Sequence, residues 1–258
     1  MLTYCPVCDG RVITLFDKIN LRPRGAASIY ICRTCLALLN GAAYDALEKG
    51  QISELQKTDF YAVTADEHAV NHLEKVATYQ QILQVFFEHE ARSLADLTFL
   101  DFGCGRGYAA LAAAPNCRRA VACDYDLATF QTVVSALEVE DALPSNVAAI
   151  DDLAAATECF DIIFMWHVLE HLPYPTRFWR DRRQHLQPGA TFILQSPMFR
   201  PEYVIDAHFV FFTEPSLRRW AEEIGAEPID FRYDVPLAFI ALHARMTGRS
   251  EGQSVTLR

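Results

Sequence analysis

The chain has 258 residues, 51% of them hydrophobic and 22% charged, with a formal net charge of −10. A chain of this length buries roughly three-quarters of its unfolded surface, enough for one large domain with a small appendage. No apolar run reaches the ~20 residues needed to cross a bilayer, and the N-terminal M-L-T-Y-C-P-V-C lacks the basic and apolar regions of a secretory signal, so a cytoplasmic protein away from membranes is expected.

Residues 1–42 carry two C-x-x-C units, Cys5/Cys8 and Cys32/Cys35, separated by 23 residues. Two such knuckles present four thiolates to one tetrahedral ion, so a structural zinc ribbon is expected. A unit this small has too few core residues to fold alone, and zinc supplies ~10–16 kcal/mol on folding. The remaining cysteines, Cys104, Cys117, Cys123 and Cys159, are scattered singly and read as plain buried residues. In the first 40 residues Arg11, Lys18, Arg22, Arg24 and Arg33 outnumber Asp9 and Asp17, a balance of +3 that four thiolates around one Zn²⁺ reduce to about +1. Nucleic acid is therefore disfavoured as a partner, because phosphate neutralisation needs clustered cations.

Residues 43–95 read as a helical linker and lid. Ala69, Leu73, Val76, Leu83, Phe86 and Phe87 recur at helical spacing, predicting an amphipathic helix to about Ala91. From 96 to 246 short apolar runs alternate with helical patterns. Strands are expected at Leu97–Phe102, Ala120–Cys123, Val147–Ile150, Asp161–Trp166 and Thr191–Gln195, the last after a Pro188-Gly189 turn. Helices are expected from Gly107 to Ala114, on the face Leu127, Phe130, Val133, Val134 and Leu137, and from Thr213 to the Gly225 stop. Ile229–Arg232 and Leu237–Arg245 close the pattern, and 247–258 reads as a loose tail. The alternation predicts an α/β fold, a mostly parallel sheet with helices on both faces.

The segment F-L-D-F-G-C-G-R-G-Y, 99–108, places Gly103, Gly105 and Gly107 between a strand and a helix. Glycine is needed there for positive φ or for close approach of the backbone to a ligand, and the helix start offers free N–H donors. The next strand ends A-V-A-C-D-Y-D, setting Asp124 21 residues after Gly103, where a carboxylate can receive two ribose hydroxyls. Asp124 could instead cap the following helix, although Asp126 fits that role better.

The glycine loop, with Asp101 two residues ahead of it, resembles the first motif of class I S-adenosylmethionine (SAM)-dependent methyltransferases. F-D-I-I-F-M-W-H-V-L-E-H-L-P-Y-P (160–175) resembles the "HVLEHLPDP" signature of one subfamily. L-Q-P-G-A-T-F-I-L (186–194) is similar to its "LKPGG" turn, and H-F-V-F-F-T-E-P-S-L (208–217) to the entry of its last helix. The resemblance runs from about Ala69 to Arg245. It implies a Rossmann-like sheet of seven strands that binds SAM through Asp101, Gly103, Gly105, Gly107, Asp124 and Tyr125. At the third strand it implies an acid for the adenine amine, Asp151 or Asp152, beside Leu153; the short spacing to Phe160-Asp161 departs from typical relatives.

H-V-L-E-H (167–171) also matches an inverted zinc-protease motif, but that motif belongs within a helix, and here it ends a strand with Pro173 and Pro175 following. A hydroxyl or carbon acceptor calls for a base, and His167, His171 and His208 are the candidates, with Glu170 and His171 alternatively fixing the loop. Trp166 and Tyr61 could face a sulfonium or simply pack in the core. The run Arg177, Arg180, Arg182 and Arg183 reads as a solvated helix face. The leading expectation is methyl transfer to a small molecule or glycan in a biosynthetic pathway. Alternatives are RNA methylation with the ribbon gripping RNA, as the ribbon-bearing ribosomal RNA guanine methyltransferases would imply, and a non-catalytic SAM-binding scaffold.

Overall fold

A computed structural model describes residues 2–20, 26–51, 71–139, 143–205 and 207–247. Tyr61, Arg22, Arg24, residues 52–70 of the expected linker and lid, and all but the first residue of the expected tail lie outside these residues.

Near the N-terminus β1 (Val12–Asn20), β2 (Ala26–Cys32) and β3 (Leu38–Asn40) form an antiparallel meander. The larger sheet uses β4 (Thr98–Phe102), β5 (Arg119–Cys123), β6 (Val147–Ile150), β7 (Phe160–Trp166), β8 (Leu186–Pro197), β10 (Ala226–Asp234) and β11 (Phe239–Met246). Its order is β10-β11-β8-β7-β4-β5-β6, and only the β11 pairings with β8 and β10 are antiparallel. This is the Rossmann-like, seven-stranded, mostly parallel sheet that the sequence implied. The strand order reverses beside β4, so the carboxyl ends of β4, β5 and β7 border a crevice where open α/β sheets take ligands.

Side chains on β7 alternate between two cores. Ile162 and Phe164 join Leu83, Phe86, Ala110 and Phe130, from helices His72–Phe87, Tyr108–Ala113 and Ala128–Val139, on one face. Ile163 and Met165 join Trp179, Leu217 and Trp220, from helices Pro175–Arg180 and Glu214–Ile224, on the other. That period of two is what a strand buried on both sides requires. Helix Glu214–Ile224 buries Leu217, Trp220, Ala221 and Ile224 on one face. Thr213 and Ser216 form its capping box, and Gly225 ends it at φ 79°.

Three local expectations are revised. The first long helix is described from His72, capped by the Asn71 side chain, and ends at Phe87 rather than about Ala91. Beyond it, Glu90 turns back to pair with Arg92 at 3.0 Å and Arg245 at 3.3 Å. Pro188-Gly189 does not precede the fifth strand but lies inside β8. There the register jumps from Phe160↔Leu186 to Ile162↔Thr191, and Gly189 (φ 76°) absorbs the bulge. Finally, the entry to the last helix contains an unforeseen strand, β9 (Val210–Phe211), which pairs with β3 and completes a four-stranded sheet with the ribbon.

The cysteine-bearing segment is thereby fused to the rest of the fold. Its Cys5, Val7, Leu39 and Tyr44 belong to the same apolar cluster as Phe209, Val210 and Phe212. Asn40 caps helix Gly41–Glu48 through Ala42 N–H and donates its amide to the carbonyls of Ile205 (2.8 Å) and His208 (3.0 Å). The Tyr44 hydroxyl donates to Pro173 O and that of Thr176 to Val7 O. No helix among the described residues is long and apolar enough to cross a membrane.

Candidate active site

The two cysteine knuckles repeat one hydrogen-bond pattern. In the first, Asp9 N–H donates to Cys5 O and Cys5 N–H to Gly10 O; in the second, Leu36 N–H donates to Cys32 O and Cys32 N–H to Ala37 O. The residue after each second cysteine takes positive φ, 57° at Asp9 and 63° at Leu36, which turns the chain back and sets both thiols on one side. Backbone N–H groups of Val7, Thr34 and Cys35 point at the sulfurs, each at 3.4 Å. Cys5 Sγ lies 3.7 Å from Cys35 Sγ, and Cys8 Sγ 3.5 Å from Cys32 Sγ. The Cys35 hydrogen bond holds the Cys5 thiol down to about 6 and raises that of Cys35. All four ligand atoms lie within 4.8 Å of one another. Among the described residues, the donor set fits a soft or borderline dication.

At the sheet's crevice the β4 tip turns into the glycine loop. Gly103 takes φ 71°, and a Cβ there would meet Val168 at 2.6 Å, so both the bend and the space require glycine. Gly107 caps the next helix at φ 71°, with the Phe130 ring 2.3 Å from where its Cβ would be. Asp101 lies behind the loop and accepts from Ala110 N–H at 3.0 Å; burial pushes its carboxyl up to about 8. Asp124, at the β5 tip, accepts Gly105 N–H at 2.9 Å and Asp126 N–H at 3.2 Å, so it is anchored to the loop rather than capping the helix. Asp126 supplies that cap, through Ala128 N–H. At the β6 tip Asp152 accepts Ala154 N–H at 2.9 Å, with Asp151 beside it.

These tips open on a cavity of about 420 Å³. Gly103, Asp124, Tyr125, Asp151, Asp152 and Leu153 line one end, and His167 and His171 stand at the other. Asp101, Gly105 and Gly107 lie outside the lining. Trp166 is outside it too, stacked on Phe164 at 5.2 Å within the core. Tyr61 lies outside the described residues.

The H-V-L-E-H segment leaves β7 with His167 at φ 57° and turns through a short 3₁₀ element, Leu169–His171. It is not an α-helix, so the protease arrangement is absent from it. Glu170 is fully buried; Ser196 Oγ donates to its Oε2 at 3.1 Å, and its Oε1 lies 3.6 Å from His167 Nδ1. The His171 Nδ1 is 2.9 Å from Ala207 O and the His208 Nδ1 2.7 Å from Tyr203 O, so in both rings Nδ1 donates to a backbone carbonyl. The rings meet edge to face at 4.7 Å. Burial pushes His208 down to about 4, which keeps it neutral.

Sequence reasoning missed part of the lining. Val168 and Leu172 stand within the 160–175 segment but carried no predicted role, and Ala207 belongs to no motif and reaches the cavity only through the fold. Cys123, read as merely buried, borders it as well. Arg182, read as a solvated cation, instead lies 3.7 Å over the Phe178 ring, and both line the cavity. Its neighbour Arg180 pairs with Glu223.

A glycine loop, an acid on the adjoining strand tip and a crevice at the sheet's switch point define a nucleotide-cofactor-binding α/β domain. The family model described as "Methyltransferase domain" matches residues 71–230, and the chain belongs to that family. A probable S-adenosylmethionine-dependent methyltransferase of Mycolicibacterium smegmatis is 30% identical over 114 residues, 44% of this chain and 43% of that protein. A ubiquinone biosynthesis O-methyltransferase of Parvibaculum lavamentivorans is 34% identical over 100 residues, 38% of this chain and 40% of the other. The chain thus matches less than half the length of either relative. Among solved structures, a Burkholderia thailandensis 1,6-didemethyltoxoflavin-N1-methyltransferase with bound S-adenosylhomocysteine has the same fold, with a TM-score of 0.53 and 15% identity over 86% of this chain and 96% of that one.

Proposed function

We propose that this protein transfers a methyl group from SAM to a small-molecule or glycan acceptor in the cytoplasm, with a structural zinc held by Cys5, Cys8, Cys32 and Cys35. The observation that carries this reading is the convergence of Gly103, Asp124 and Asp151 from three neighbouring strand tips on one concave cavity. When bound, SAM supplies an electrophilic methyl on a sulfonium. Asp124, preset by the Gly105 and Asp126 amides, lines the cavity at the strand tip where ribose hydroxyls would donate to it. Asp152 is engaged by Ala154 N–H, which favours Asp151 for the adenine amine. The Gly103 bend brings backbone close to the amino-acid portion, with Asp101 holding the helix behind it.

The acceptor would enter against His167 and His171, where the chain's contribution is alignment and exclusion of water, worth several kcal/mol of the barrier (~7–11 at the ideal limit). His208, neutral behind His171, shapes that end rather than carrying charge. The net charge of −10 favours a compact acceptor over RNA. The test is transfer of labelled methyl from SAM to a panel of phenols, sugars, amines and ribosomal RNA. Labelling of small acceptors at salt-independent rates supports the reading. Labelling of RNA alone, suppressed by salt, would replace it, and tight SAM binding with no acceptor labelled would favour a scaffold.

A further inference from the structure

Apart from the four cysteines, the described residues bring together one other group with metal-ligand chemistry: Glu170, His171 and His208, each offering a ligand atom within 4.8 Å of the others. We propose that these three residues form a second divalent-metal site, at the acceptor end of the cavity.

The supporting groups are those of a built site. Metal-binding imidazoles characteristically donate their other N–H to a carbonyl or carboxylate, which fixes the tautomer and aims the lone pair. Both rings do so here, His171 to Ala207 O and His208 to Tyr203 O. The carboxylate is oriented in the same way, by Ser196 Oγ on Oε2. Its Oε1 is fully buried and has no hydrogen-bond partner among the described residues, with His167 Nδ1 at 3.6 Å. A buried carboxylate oxygen left unsatisfied is costly, and a cation among the three residues would satisfy it. Two ligands at ~2.1 Å from one ion stand at most ~4.2 Å apart, so small side-chain rotations complete the set.

Asn40 of the ribbon donates to the Ile205 and His208 carbonyls, and β9 follows directly, so the thiolate-bearing segment holds the loop that delivers His208. Two imidazoles and one carboxylate suit Zn²⁺, Co²⁺ or Mn²⁺ and leave coordination positions open. Of the three, His171 lines the cavity, which is the side from which an acceptor would reach the ion. The role, unlike the metal binding itself, rests on the methyltransferase reading: the site would take an acceptor with a hydroxyl group. Coordinated oxygen loses its proton to water more readily. It then forms the new O–CH₃ bond as the S–CH₃ bond breaks and its electron pair stays on sulfur.

The test is metal stoichiometry on the full chain. Protein carrying one equivalent of Zn²⁺ is titrated with Co²⁺, alone and with S-adenosylhomocysteine. The expected result is a second equivalent bound without thiolate-to-cobalt charge-transfer absorption, and at least tenfold weaker in His171→Ala, His208→Ala and the isosteric Glu170→Gln, with S-adenosylhomocysteine binding retained. The wild-type count alone decides if a histidine variant fails to fold. One equivalent only, or a second one unaffected in Glu170→Gln, overturns the proposal. Loss of S-adenosylhomocysteine binding in the wild type would instead remove the methyltransferase reading and leave the metal count standing.

Discussion

At one end of the cavity, Gly103 and Asp124 arrive on adjacent parallel strands, and the backbone amide of Gly105 ties the two together. At the other end, Glu170 and His171 come from the turn after β7, His208 from the approach to β9, and their supporting carbonyls from a loop clamped by Asn40 of the ribbon. The first end is built by local chain geometry and by one strand pairing that the fold cannot omit. The second also draws on the docked N-terminal segment, through the Asn40 hydrogen bonds. Stability of the N-terminal segment and shape of the acceptor end are therefore coupled, while the glycine loop takes its shape from β4 and β5 and meets the acceptor-end turn only where Gly103 packs against Val168.

The largest expected break in that contrast is Cys32→Ser. Loss of one thiolate removes most of a metal-binding free energy of ~10–16 kcal/mol, so metal content should fall by one equivalent and the N-terminal segment should unfold. If Cys32→Ser keeps both its metal and its thermal midpoint, the ribbon contributes nothing. Gly107→Ala comes next. A Cβ 2.3 Å from the Phe130 ring at φ 71° adds overpacking to backbone strain, about 2–4 kcal/mol, readable as a lower midpoint in urea with metal content unchanged. Asn40→Ala leaves two carbonyls and a helix start without their amide and cap, about 1–3 kcal/mol. Its signature is specific: acceptor KM should rise while SAM affinity holds, and an equal loss of both would dissolve the distinction between the two ends.

The smallest effect is a pH dependence far from the cavity. Burial opposes ionisation of Glu90, yet hydrogen bonds from Arg92 and the charge of Arg245 hold it at about 2, below its value in the unfolded chain. Its contribution is complete above about pH 4.5 and is lost as the pH falls toward 2. Glu90→Gln should flatten that part of the acid-stability curve, checked by thermal melts between pH 2 and 6.

Most of the large sheet was legible in the sequence because its central strands are buried on both faces and read as apolar runs, as in I-I-F-M at 162–165. Gly103 and Asp124 were legible because the fold permits few residues where backbone must bend around a ligand. Three features were not. Val210–Phe211 is two residues long, too short for any period, and is a strand only because β3 is beside it. Arg182 carries a charge that pattern reading assigns to solvent, whereas its guanidinium plane stacks on Phe178. The meeting of His171 with His208 depends on a contact across 37 positions that no spacing rule encodes.

Calorimetric titration of wild type and Asp124→Ala with SAM and with NAD reaches the centre of this account. One molecule of SAM per chain, no NAD, and at least a tenfold loss of SAM affinity in the variant, roughly 1.5–3 kcal/mol for one charge-assisted hydrogen bond, are the predicted results. Binding of NAD in place of SAM, or SAM affinity indifferent to Asp124, would contradict it.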